Sequence, residues 1–286
     1  MKRKLLIVSA VLIIVIPVAA IWIAGSQLSA PAPQTIGNLP DDLIGSSIQF
    51  QSNSGSTIHG WYIHGRRGAG AIALMHGVRS NRLSMLDRAR FLSHEGYSVL
   101  LFDFQAHGES PGQYITFGYR ESEDAKAAIE FLSNAAFGER IGVVGVSMGG
   151  AASILATPPL NVKAMVVEMV YPTINEAVSD RLTMRLGGWA RVLTPLLLVQ
   201  LKARQGISAD SLRPIDKVGQ LSMPKLFIAG ADDKHTTIAE SQRLFDTANS
   251  PKEFWIVPGA AHVDLHNAAR VEYEQRVLDF FKRTLR

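Results

Sequence analysis

The hydrophobic pattern opens with one unbroken apolar run and then alternates between short strand-like and longer helix-like segments. Leu5–Ala24 reads LLIVSAVLIIVIPVAAIWIA, twenty residues without a charge, and follows Lys2-Arg3-Lys4. Twenty helical residues span about 30 Å, the thickness of a bilayer core. Pro17 is tolerable in such a helix. No small-x-small cleavage site stands behind it: Trp22 lies close to Gly25, and Leu28 occupies the place wanted for a small residue before Ala30. Residues 1–28 therefore predict a transmembrane signal-anchor, with a cleaved signal peptide as the alternative. The basic end stays cytoplasmic, which places the rest of the chain outside the cytoplasm. Residues 29–40 carry Pro31, Pro33 and Pro40 and read as a linker that opposes regular structure.

From Asp41 to the end, residues 41–286, the pattern predicts one globular domain. Ile44–Gln51 and Thr57–His64 are strand-like runs around the turn Asn53-Ser54-Gly55-Ser56. Strands over Ala71–Met75, Ser98–Phe104, Arg140–Val146, Val162–Met169, Lys225–Ala229 and Phe254–Val257 then alternate with helices. Those helices cover Arg82–His94, Tyr119–Ala136, the segment after Ser147, Ile238–Ala248 and Ala268–Thr284. In the second of them Ala125, Ala128, Ile129 and Leu132 share one face. This alternation predicts an α/β fold with a mainly parallel sheet, helices on both faces and an antiparallel N-terminal edge. Residues 170–223 break the rhythm with helical character and no strand. They are expected to be either a helical lid insertion over the strand ends or additional core helices.

Composition narrows the picture. Over 286 residues the chain is 47% apolar and 19% charged, as a folded core requires. The formal charge of +4 falls to +1 once Lys2, Arg3 and Lys4 are set aside. No basic stripe interleaved with aromatics is present, so nucleic acid is not an expected partner. With no cysteine, thiolate catalysis, disulfides and cysteine-held metals are excluded. No histidine pair has metal-site spacing, and no cofactor is called for.

Four positions carry candidate chemistry, each at the carboxyl end of a predicted strand. Gly145-Val146-Ser147-Met148-Gly149 lies between a strand and a helix, the context of a nucleophile elbow with Ser147 at its tip. Met75-His76-Gly77-Val78 ends the third strand. Its loop, with the residue after the serine, points to the backbone N–H groups of Val78 and Met148 as oxyanion donors. Gly230-Ala231-Asp232-Asp233 offers a carboxylate able to orient an imidazole, Asp233 or in the neighbouring register Asp232, with Glu168 a weaker candidate. Pro258-Gly259-Ala260-Ala261-His262 supplies a histidine in a loop after the last strand, placed to act as general base. His235 is a candidate substrate contact, and the other histidines read as loop, structural or surface residues.

The chain order Ser147, Asp233, His262, with the loop Asp103-Phe104-Gln105-Ala106-His107-Gly108-Glu109-Ser110, resembles the α/β-hydrolase superfamily from about Ile44 to Leu285. That loop is similar to the superfamily's Asp-x-Arg-Gly-x-Gly-x-Ser, with Gln105 and Ala106 in place of Arg-Gly. Glu121–Leu132 and Leu212-Arg213-Pro214-Ile215-Asp216 look like the branch that holds prolyl-oligopeptidase-like and dienelactone-hydrolase-like enzymes. The resemblance implies a serine hydrolase needing no cofactor and acting on a small-molecule or lipid-like acyl substrate, most simply a carboxylesterase. Peptidase or amidase, thioesterase and acyltransferase chemistry remain open alternatives on the same triad, as does a non-catalytic binding protein on this fold. A peptidase would bring an acidic group such as Asp232 or Glu176 to a substrate amine.

Overall fold

The computed structural model describes residues 15, 16 and 18–286. A helix over residues 18–28 (α1) leads into the strap residues 29–40, which carry the two-residue strand Ala32–Pro33 (β1). The domain proper is built on eight strands: Gly45–Gln51 (β2), Thr57–Ile63 (β3), Ala71–Met75 (β4), Ser98–Phe102 (β5), Ile141–Val146 (β7), Ala164–Glu168 (β8), Lys225–Gly230 (β9) and Lys252–Val257 (β10). A further two-residue strand, His107–Gly108 (β6), pairs with β1. The sheet order is β10-β9-β8-β7-β4-β5-β3-β2, parallel throughout except at β3, which runs antiparallel to both β5 and β2.

The helices are Leu86–His94 (α2), Glu121–Ala135 (α3), Met148–Leu155 (α4), Ile174–Leu186 (α5), Thr194–Gln205 (α6), Ile215–Val218 (α7), Ile238–Thr247 (α8), Leu265–Ala268 (α9) and Arg270–Leu285 (α10). Each face of the sheet has its own core. One packs Ala128, Leu132, Ala151, Ile154 and Leu244 onto strand residues such as Ala73 and Val143. The other packs Ala89, Leu92, Tyr273, Val277 and Phe281 onto Ile72, Leu74 and Val144. Burial on both faces explains why β4, β5 and β8 read as continuous apolar runs rather than alternating ones. The fold is the expected α/β-hydrolase architecture, antiparallel edge included.

One expectation changes. The strap does not oppose regular structure: Ala32 N–H donates to Ala106 O and Gln34 N–H to Gly108 O, both at 2.8 Å. Pro33 lies between those donors, so its missing N–H removes no bond. Ser29 is buried, Glu109 accepts from the N–H groups of Ile36 and Gly37, and Ile36 and Leu39 pack against the core. Among the described residues no helix is long and apolar enough to cross a membrane, and much of Leu5–Ala24 lies outside the described residues.

Candidate functional site

At the end of β7 the backbone turns sharply. Ser147 sits at φ 49° and ψ −110°, a region costly to an L-residue, and its N–H donates to Glu168 O at 2.8 Å. Only glycine fits beside it. A Cβ on Gly149 would lie 2.4 Å from Met75 O, and one on Gly150 would lie 2.8 Å from Gly145 O. The turn holds the Ser147 side chain in the wall of a cavity of about 550 Å³. Val78, Met148, His235 and His262 line the same cavity, together with Phe117, Met169, Tyr171, Val178, Leu182, Leu197 and Val263.

His262 lies within 2.7 Å of Asp233 Oδ2 through Nδ1. An ionised carboxylate only accepts, so Nδ1 carries the proton and Nε2 keeps its lone pair for the cavity. Asp233 is held firmly in turn. Its Oδ1 accepts from the N–H groups of His235 at 2.7 Å and Thr236 at 3.0 Å, and its side chain is wholly buried. The His235 ring stacks on that of His262, with centroids 4.9 Å apart and planes inclined by 12°. Burial first, and then the neighbouring His262 ring and Arg181 guanidinium, lower the His235 pKa.

The loop bearing Val78 is pinned on both sides by neutral histidines. His76 donates through Nδ1 to Gly77 O at 2.7 Å and accepts from Phe104 N–H at 3.1 Å. His107 donates to Gln105 O at 2.9 Å and accepts from Arg79 N–H at 3.0 Å. Desolvation pushes both imidazole pKa values down, which favours the neutral forms these bonds need. Among the described residues the N–H groups of Val78 and Met148 donate to no backbone or side-chain acceptor, and Met148 is the first residue of α4, where such donors are normally orphaned.

The remaining candidates fall elsewhere. Asp232 is exposed and outside the cavity wall. Glu168 is buried beneath Arg88 Nη2 at 2.8 Å and accepts from Tyr273, so its carboxylate is occupied. Glu176 pairs with Arg243 on α8 and accepts at 2.8 Å from the hydroxyl of Thr173, the N-cap of its own helix. The 103–110 loop is also closed: Asp103 and Glu109 share Arg82, and Gln105 donates to Glu121 and to Tyr114 O. Arg82 and the N–H groups of Ile36 and Gly37 outweigh partial burial and hold Glu109 at about 2. Among the described residues no cluster could hold a metal ion.

Sequence reasoning missed three contributors. Leu28 of α1 reaches the cavity wall, and Arg181 and Arg185 enter it from α5. The arginines left one legible sign, a spacing of four residues on a predicted helix.

Sheet, elbow and loop placement define an α/β-hydrolase. Comparison with known proteins agrees: the family described as serine aminopeptidase, S33, matches residues 67–213, more than half of the chain, and the protein belongs to it. Among curated relatives, YqkD of Bacillus subtilis is 26% identical over 241 residues, covering 82% of this chain and 78% of its own. The α/β-hydrolase domain-containing protein WAV2 of Arabidopsis thaliana is 25% identical over 275 residues, 90% of this chain and 84% of its own. Among solved structures, the Pyrococcus furiosus esterase PF2001 superposes with a TM-score of 0.73 at 25% identity, over 89% of this chain and 99% of the esterase. The hydrolase GrgF of a Penicillium species shares the fold at a TM-score of 0.66 and 20% identity, over 86% of this chain and 99% of its own.

Proposed function

We propose that this hydrolase is a membrane-anchored serine carboxylesterase acting through Ser147, His262 and Asp233. The observation that carries the reading is the 2.7 Å bond from His262 Nδ1 to buried Asp233 at the wall of the cavity that also holds Ser147. His262 Nε2 takes the Ser147 proton as Oγ attacks the ester carbonyl, and the N–H groups of Val78 and Met148 receive the oxyanion. Collapse of the tetrahedral species breaks the bond to the alcohol oxygen, which leaves with the proton from His262. Water then loses a proton to His262 and attacks the acyl carbon. Ser147 regains the proton as the acid departs. Asp233 stays ionised and keeps the imidazolium oriented.

The apolar wall suits a lipid-like acyl group. The apolar N-terminal run with its preceding Lys2-Arg3-Lys4 supports a single-pass anchor, N-terminus cytoplasmic and catalytic domain outside. The likeness to the PF2001 esterase supports ester over amide substrates. The aminopeptidase reading has less behind it, since Asp232 and Glu176 both lie outside the cavity wall and the free charges inside it are cationic.

A fluorophosphonate probe is expected to label the wild type and not Ser147→Ala, and equal labelling of both removes the nucleophile assignment. Turnover of a p-nitrophenyl ester should exceed that of an aminoacyl anilide; the reverse order selects the peptidase alternative.

A further inference from the structure

The cavity beside Ser147 is apolar over most of its wall, yet it receives four arginines. Two of them are answered by the protein. Arg88 is paired with Glu168 and Asp264, both at 2.8 Å, and Arg79 donates at 3.1 Å to the carbonyls of Gln27 and Ala30. Arg181 and Arg185 are not. They stand four residues apart on α5 and therefore on one face of it. Neither has a carboxylate partner among the described residues, and residues 1–14 and 17 contain no Asp or Glu. Among the described residues the single acceptor of Arg181 is Ala177 O at 2.8 Å, in its own helix. Desolvation pulls its pKa down, the mark of a cation placed where water is scarce.

Both guanidiniums act on the reacting corner of the cavity. Each adds to the positive field at His235, the ring stacked on His262. Arg185 is exposed, whereas Arg181 is half-buried and feels the carboxylates of Asp233 and Asp180 without forming an ion pair with either, so its planar fork is left to match the paired oxygens of a carboxylate or phosphate. An apolar frame with one oxyanion would therefore satisfy this cavity: the frame fills the aliphatic wall and the oxyanion meets the two forks.

We infer that Arg181 and Arg185 form an oxyanion-recognition subsite within the acyl cavity, and that the preferred substrate is an ester bearing its own carboxylate or phosphate on an otherwise apolar frame. The inference rests on Ser147 being the nucleophile and adds the charge of the molecule it attacks.

The test uses the full chain and the rate of fluorophosphonate labelling of Ser147, slowed by hexyl phosphate, hexanoate or hexanol at constant ionic strength. At least one of the anions should protect the wild type at concentrations about tenfold or more below hexanol, the scale of a charge-assisted pair. Whichever anion protects better identifies the phosphate or the carboxylate as the group read. Arg181→Gln and Arg185→Gln should each narrow the gap to hexanol, and the double variant should close it. Equal protection by hexanol and both anions in the wild type, or an undiminished gap in the double variant, overturns the subsite. Absence of labelling in the wild type instead removes the nucleophile reading. The subsite is then decided by melting temperature: a rise with either anion that the double variant loses sustains it, and equal shifts in the two proteins overturn it.

Discussion

Asp232 and Asp233 are adjacent and chemically identical, and burial separates them. The first faces solvent. The second spends its two oxygens on His262 and on the N–H groups of His235 and Thr236. Asp233→Asn preserves shape but removes the acceptor that fixes the imidazole tautomer, so kcat should fall about 10³- to 10⁴-fold. Asp232→Asn should change kcat by less than about threefold, and steady-state turnover of one ester by the two variants checks the pair. A comparable loss in both would mean the loop holds the acid in the other register. The sequence placed a carboxylate in this loop but left the register open, because which of two neighbours is buried depends on Ala260 O, 28 residues further along the chain, meeting Asp232 N–H at 2.8 Å. Glu168 was ambiguous for the same reason: its partners Arg88 and Tyr273 come from α2 and α10, and no local pattern connects them.

The strands and the elbow were legible because their signals are local: double-sided burial writes a continuous apolar run, and a strained serine demands glycines beside it. The helices of 170–223 were legible as helices but not as walls, since what α5 and α6 face is set by distant loops. Among the described residues Glu176 pairs with Arg243 and ties α5 to α8, and the Asp180 carboxyl on α5 feels that of Glu240 on α8. Burial and then the neighbouring Glu240 raise the Asp180 pKa to about 7, with Arg191 offsetting part of the effect. A carboxyl whose folded pKa is raised binds its proton more tightly in the folded state. Its contribution to stability is thus present below the unfolded value of 3.8 and is lost as pH climbs to about 7. Asp180 is only partly buried, so screening reduces the loss to the order of 1 kcal/mol. Asp180→Asn should melt about 2–4 °C above the wild type at pH 8, with the difference vanishing near pH 4. Melting curves across that range decide it, and a pH-independent difference would refute the coupling.

At the scale of the molecule, the greatest departure from the sequence reading lies at the N-terminal edge. Prolines signalled a linker, yet the strap is a strand partner of the 103–110 loop, and α1 packs on α6. Gln200 donates to Ile21 O at 3.0 Å and Arg204 to Trp22 O at 2.7 Å, with the Arg204 guanidinium 4.3 Å above the Trp22 ring. Such pairings join segments far apart in the chain, and periodicity does not encode them. A fragment starting at Asp41 cuts away β1, buried Ser29 and the packed side chains of Ile36 and Leu39. It should melt about 5 °C or more below one starting at Ser26, as lost burial of this size requires. Equal melting temperatures by calorimetry would show the strap to be a passenger.

That strap has a mechanical consequence. A tethered enzyme on a slack leash samples all orientations above its membrane, whereas here the leash is stitched to the body from its first residues. With the proposed anchor in place, the tilt of the N-terminal rod is handed directly to the domain. Leu28 forms part of both the rod and the cavity wall, so the mouth of the cavity would keep a fixed bearing and height relative to the lipid surface.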